Sequence, residues 1–118
     1  MILYSQNIWN HNPSEYRNSL VYSMVLQTDA DICMFQECGP ATNRVGANAI
    51  SELMKYEYTE VCPEKASMNF TPVYYKTDKF NLIDSGYFLY DGLNDDGLFI
   101  INFQNSDMHP EAETLPNG

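Results

Sequence analysis

The chain has 118 residues, 44% of them apolar, and a formal net charge of −10. That length allows one domain with a modest core, and that apolar share excludes wholesale disorder. The charge, with no Lys/Arg cluster, argues against a duplex nucleic-acid binder, because such proteins present a basic stripe to the phosphates.

Residues 2–8 read as a short strand, apolar over Ile2-Leu3-Tyr4 and polar over Ser5-Gln6-Asn7. A helix is expected next. Asn12 is a good N-cap type, Pro13 suits the first helical position, and Glu15 completes a capping-box spacing. Tyr16, Leu20, Val21, Met24 and Val25 recur at helical spacing and predict one apolar face. Thr28-Asp29-Ala30-Asp31 breaks that pattern. Ile32-Cys33-Met34-Phe35 is a continuous apolar run, as in a strand buried on both faces. It ends in Gln36-Glu37, and Cys38-Gly39-Pro40 leaves the sheet.

A second helix is expected over about 43–54, with Ile50, Leu53 and Met54 inward. Residues 56–61 alternate as a strand with one wet face, and 62–71 read as a loop. Val73-Tyr74-Tyr75 predicts a strand, Thr77-Asp78-Lys79 a turn, and Phe80 to Tyr90 a further extended stretch in which Gly86 marks a bulge or bend. After a turn-rich segment from Asp91 to Gly97, Leu98 to Phe103 has strand character. Gln104 to Gly118 is expected to be a poorly ordered tail. The three cysteines, Cys33, Cys38 and Cys62, are an odd count with no secretory signal, so the chain reads as cytoplasmic with reduced thiols. No apolar run has membrane-spanning length.

Strand, helix, strand over residues 2–37 fits a βαβ unit, whose strands run parallel. The C-terminal ends of parallel strands share one sheet edge, where ligands of open α/β sheets gather. Asn7 ends the first strand and Glu37 the second. A carboxylate following four apolar residues is costly to desolvate without a cation or donors. Mg²⁺ needs few carboxylates and keeps its waters, so one Glu with neighbours can hold it. The Asn amide can donate to a phosphate oxygen or orient the carboxylate. Position alone leaves a second reading open, in which Glu37 turns to solvent and Asn7 caps a loop.

Three stretches carry a resemblance. Ser5-Gln6-Asn7-Ile8-Trp9 resembles the first strand of the endonuclease/exonuclease/phosphatase superfamily, which ends in an active-site Asn. Ala30-Asp31-Ile32-Cys33-Met34-Phe35-Gln36-Glu37 resembles its second, which ends in the metal-binding Glu; Ala30 replaces the usual Pro. Residues 71–88, from Thr71-Pro72-Val73-Tyr74-Tyr75 to Ser85-Gly86-Tyr87-Phe88, resemble a stretch typical of bacterial phosphodiesterases and phosphatases of that superfamily.

The resemblance implies an α/β (α+β) fold, the N-terminal portion of a four-layer α/β sandwich with mixed β-sheets. It implies a division into 1–92, half of such a domain, and 93–118, a divergent and poorly ordered tail. The activity implied is a divalent-metal-dependent phosphoester hydrolase, with Mg²⁺ (or Mn²⁺) on Glu37, Asn7 beside it as a second catalytic residue, and a phosphoester substrate of unspecified type.

A C-terminal half would supply a catalytic His, a Gly-Asp-x-Asn segment and a terminal Ser-Asp-His segment for metal-assisted attack by water. None lies in this chain, and Ser106-Asp107-Met108-His109 departs from the last by an inserted Met. The chain is therefore expected to be inactive alone. The alternative is a non-catalytic interaction module that keeps the half-fold. His11, in the loop after the first strand, and Tyr74, in a strand bordering the site, are candidate phosphate contacts; a solvated loop His and a sheet-face Tyr are the plainer roles. The cysteine spacing matches no paired zinc knuckle, which leaves Cys33 a small core residue. Asp91, Asp95 and Asp96 lack the calcium-loop pattern.

Overall fold

A parallel strand pair joined by a helix forms the first part of the fold, as the apolar runs require. The computed structural model describes residues 1–9, 14–38, 49–61, 71–89 and 97–106. Strand β1 (Leu3–Asn7) runs parallel to β2 (Ile32–Gln36), in register from Leu3↔Ile32 to Asn7↔Gln36. Helix α1 (Glu15–Thr28) lies between them in sequence. Strand β4 (Val73–Lys76) pairs antiparallel with β2 and with β3 (Tyr58–Val61), giving a mixed sheet in the order β1-β2-β4-β3. A short helix, α2 (Ile50–Met54), precedes β3. Strands β5 (Phe80–Leu89) and β6 (Gly97–Asn105) form a separate antiparallel ribbon.

Two cores flank the mixed sheet. On one face Cys33, Phe35, Tyr58 and Tyr74 pack with Val21 and Val25 of α1 and Ile50 and Met54 of α2. Full burial of each large apolar side chain there is worth about 1.5–3 kcal/mol. Phe35 meets Tyr4 edge-on at a centroid distance of 6.2 Å and lies 5.7 Å from Tyr74. On the other face Ile32, Val61 and Tyr75 pack against Phe80, Ile101 and Phe103 of the ribbon. Helix, sheet and sheet are thus three stacked layers of an α+β sandwich. β2 serves both cores, which explains its unbroken apolar run.

Helix α1 departs from expectation at both its start and its face. Ser14 is the N-cap, its Oγ accepting from the Arg17 N–H at 3.1 Å. The expected cap Asn12 and Pro13 lie outside the described residues, and Glu15 is an acid in the first turn, favourable to the helix dipole. The buried row is Asn18, Val21 and Val25, with Tyr22 packed beside it. Tyr16, Leu20 and Met24 are exposed. At about 100° per residue these form a second row well round the helix from the first. The sequence pattern merged two rows into one face.

Other boundaries shift less. Of the second expected helix, 43–48 lie outside the described residues; Ile50 and Met54 are buried and Leu53 is half-buried. The third strand begins at Tyr58 because Lys55, Tyr56 and Glu57 form a turn. Its expected alternation fails, since Thr59 and Glu60 are both half-buried. The irregularity in the ribbon falls between Leu82 and Asp84, whereas Gly86 pairs regularly with Ile100. The extra residue is Ile83, 62% exposed, as expected for the unpaired member of a bulge. Leu98 to Phe103, read with strand character, lies within the strand Gly97–Asn105 paired with β5; residues 107–118 lie outside the described set.

Asp31 ties the layers at the sheet's other end. Its buried carboxylate accepts from the Ile2 N–H at 2.7 Å and from Lys79 Nζ, in the β4–β5 turn, at 2.7 Å. Lys76 bonds Asp29 beside it. The Lys79 and Ile2 hydrogen bonds hold the Asp31 carboxyl below its ordinary range. A depressed carboxylate contributes stability above its unfolded pKa, near 4, and that stability fades as pH falls through the lower folded value. Asp31→Ala is expected to lower unfolding stability by about 2 kcal/mol at pH 7 and to flatten the loss of stability below about pH 4. Urea denaturation across pH checks both; an unchanged midpoint at pH 7 contradicts the clamp.

Candidate active-site edge

Parallel pairing brings the ends of β1 and β2 to one edge, and there the two expected residues meet. Asn7 Nδ2 donates to Glu37 Oε2. The other side of the same amide, Asn7 Oδ1, accepts from the Trp9 N–H at 2.9 Å. These two bonds fix the amide's orientation, because oxygen accepts and nitrogen donates. The Ile8 N–H continues the ladder to the Gln36 carbonyl at 2.9 Å, so the chain leaves β1 still attached to β2. Gln36 Nε2 donates to Ser5 Oγ at 3.2 Å and to the Met34 carbonyl at 3.1 Å.

Local backbone geometry aims the carboxylate. Glu37 has φ 52° and Trp9 has φ 56°, both in the left-handed region. Such conformations are disfavoured for side chains with a Cβ and gather where surrounding structure holds them in place. Turning left-handed one residue past β2 takes Glu37 out of the strand's alternation and across to Asn7. Cys38, next in the chain, is fully buried and anchors the turn in the helix-side core.

Glu37 is half-buried, and among the described residues no group donates to its Oε1. That oxygen keeps the capacity to ligate a hard cation, while Oε2 is oriented by a neutral donor. One oriented carboxylate suits Mg²⁺, which accepts one or two carboxylates and retains waters. Among the described residues no three His, Cys, Asp or Glu side chains cluster. A cation here would rest on Glu37, on water and on groups beyond this set.

The remaining candidates separate from this edge. His11 lies outside the described residues. Tyr74 is 1% exposed, and its hydroxyl donates to Glu60 Oε1 at 2.8 Å. It sits opposite Cys33, four residues before Glu37, about 13 Å back along the strand. The structure therefore places Tyr74 in the core. Cys33 lies there too; burial, opposed by a hydrogen bond with Tyr58, pushes its thiol up to about 12. Trp9 went unremarked beyond its place in the motif, yet it is 54% exposed at this edge and shares the Asn7 amide. No residue pattern announces that; it follows from the turn after β1.

No family model matches the sequence, and no curated protein does. Solved structures do. An endonuclease/exonuclease/phosphatase family protein of Bacteroides thetaiotaomicron is 21% identical, with TM-score 0.66 over 89% of this chain and 45% of that one. A Danio rerio TDP2, complexed with single-strand DNA product, is 16% identical, with TM-score 0.68 over 88% of this chain and 40% of that one. A mannosyl-6-phosphatase of Bacteroides thetaiotaomicron is 24% identical, with TM-score 0.52 over 73% of this chain and 35% of that one. This chain spans less than half the length of each. The fold is thus part of an α+β sandwich, and that sandwich is the one found in endonuclease/exonuclease/phosphatase proteins. Among the described residues no helix is long and apolar enough to cross a membrane.

Two variants test these placements. Tyr74→Phe is expected to cost about 1 kcal/mol of stability, for one lost hydrogen bond, and to leave divalent-metal affinity unchanged by calorimetry. A tenfold loss of metal affinity would return Tyr74 to the site. Cys33 is expected to resist iodoacetamide at pH 8 in the native protein and to react in urea, as read by peptide mass mapping.

Proposed function

We propose that this chain is the N-terminal portion of a divalent-metal-dependent phosphoester hydrolase. Glu37 Oε1 would ligate Mg²⁺ or Mn²⁺, and Asn7 would hold the carboxylate in its ligating orientation. The observation that carries the reading is the Asn7–Glu37 hydrogen bond at the common end of two parallel strands. The bound cation would polarise a phosphoryl oxygen and neutralise charge developing on it. This chain's own share is orientation: the amide is fixed from both sides, and the left-handed turns at Glu37 and Trp9 hold the pair in place.

Among the described residues no three His, Cys, Asp or Glu side chains gather into a metal-binding group, and the sequence holds no Gly-Asp-x-Asn or Ser-Asp-His segment. The solved relatives are more than twice as long as the portion matched. The chain alone is therefore catalytically incomplete in this proposal, and a further segment supplies the water-activating groups. A net charge of −10 favours a small soluble phosphoester over a nucleic-acid duplex.

The second reading, a non-catalytic interaction module, is favoured by the exposed Tyr16, Leu20 and Met24 on α1. Metal binding separates the two. Mn²⁺ titration followed by electron paramagnetic resonance is expected to show one site, weakened at least tenfold by Glu37→Gln, with turnover of bis-p-nitrophenyl phosphate at background. Equal Mn²⁺ affinity in the variant would remove the metal role. Robust Glu37-dependent turnover would show that the chain is catalytically complete.

A further inference from the structure

Helix α1 is apolar on both of its sides. Val21 and Val25 are buried in the helix-side core, while Tyr16, Leu20 and Met24 on the outward side are 75%, 48% and 50% exposed. A surface helix usually turns charge to water, and one that is apolar all round is covered all round. The only charged side chains of α1 are Glu15 and Arg17, in its first turn; residues 18–28 hold none, in a chain that carries −10. The outward side is therefore suited to cover rather than to solvation.

Tyr16, Leu20 and Met24 are spaced by four, so they form an i±4 ridge along the helix. Leu20 is its midpoint, with an aromatic ring and a thioether at equal steps on either side. Beside the ridge Ser23 is small and exposed, and the Ser19 hydroxyl already donates to the Glu15 carbonyl at 2.9 Å. Covering that hydroxyl leaves it satisfied, which keeps the desolvation cost low.

Charge selects the occupant. A membrane-surface helix carries Lys or Arg on its polar side to meet anionic lipid, and residues 18–28 have neither. A basic protein would be drawn to the chain's carboxylates, away from this charge-free row. What fits is another uncharged apolar ridge, and α1 of a second copy is one. Two chains of −10 repel, so they meet where charge is absent from both. Turned end for end about a two-fold axis at Leu20, the ridge is complementary to itself. Leu20 then meets Leu20, and Tyr16 meets Met24 in a favourable ring–sulfur pair. Such i±4 ridges interdigitate with axes about 8–10 Å apart, crossing at about 50°.

We propose that α1 is a self-association surface, on which a second copy of this chain docks its own α1 antiparallel across Leu20. One helix pair is a small interface, below the roughly 1,200 Å² of standard stable complexes, so the dimer is weak and concentration-dependent. The proposal goes beyond the interaction-module reading by naming the occupant and its register, and it does not depend on a metal at Glu37.

Sedimentation of the whole chain from about 10 µM to about 1 mM tests it. A monomer–dimer equilibrium is expected, strengthened as salt rises from about 0.05 M to about 0.5 M, because screening relieves the repulsion of like-charged chains. Leu20→Lys sets two ammonium groups face to face on the axis. It is expected to weaken dimerisation about tenfold or more, with the urea midpoint of dilute protein unchanged. Glu37→Gln is expected to leave dimerisation as it was. For register, Leu20→Cys is expected to cross-link to itself with a short bismaleimide, above the level of the unsubstituted chain. Tyr16→Cys mixed with Met24→Cys is expected to cross-link more than either alone. A monomer throughout the range, growth beyond a dimer, a dimer weakened by salt, a dimer indifferent to Leu20→Lys, or cross-linking in another register would each overturn the proposal. None of these outcomes touches the metal reading, which Mn²⁺ binding by Glu37→Gln decides separately.

Discussion

The parallel pairing of β1 with β2 is the constraint on which the rest depends. It runs in register from Leu3↔Ile32 to Asn7↔Gln36. Because the strands point the same way, their C-terminal ends share an edge, and two residues thirty positions apart become hydrogen-bonding neighbours. An antiparallel pair would have put Asn7 beside the start of β2. A slip of one residue would have exchanged the faces of β1. Register is held from below by Asp31, which bonds Ile2 and Lys79, and from above by the Ile8–Gln36 ladder bond.

Two cores keep β2 rigid beneath the site. Cys33 and Phe35 face the helices, while Ile32 faces the ribbon. The strand that delivers Glu37 is thus packed on both sides, whereas β1 lies at the sheet's edge. Asn7, at the end of the edge strand, is restrained instead by polar contacts, through both atoms of its amide. Packing positions one partner and hydrogen bonding the other.

What the sequence made legible follows from the range of the forces involved. The βαβ unit could be read because an unbroken apolar run such as 32–35 and a helical recurrence such as Val21 and Val25 reflect local geometry. Their juncture at Asn7 and Glu37 followed from handedness and parallel pairing. The exposed row of α1 did not follow: Tyr16, Leu20 and Met24 are as apolar as the buried row, and only the sheet's position decides which row is covered. The bulge at Ile83 was hidden for the same reason, since register against β6 is not written in β5. For Tyr74 its strand left two roles open, a phosphate contact and a sheet-face residue. Alternation set its side chain on the helix side, where its hydroxyl donates to Glu60 Oε1. Trp9 carried no signal until the turn geometry showed it sharing an amide with Glu37.

The central claim is that Glu37 ligates a divalent cation at the strand-end edge. Anomalous diffraction from crystals soaked in Mn²⁺ tests it most directly. The account predicts a peak about 2.1 Å from Glu37 Oε1, with the Asn7 amide still on Oε2. A peak elsewhere, or none at the Glu37 carboxylate when Mn²⁺ is in excess, would contradict it.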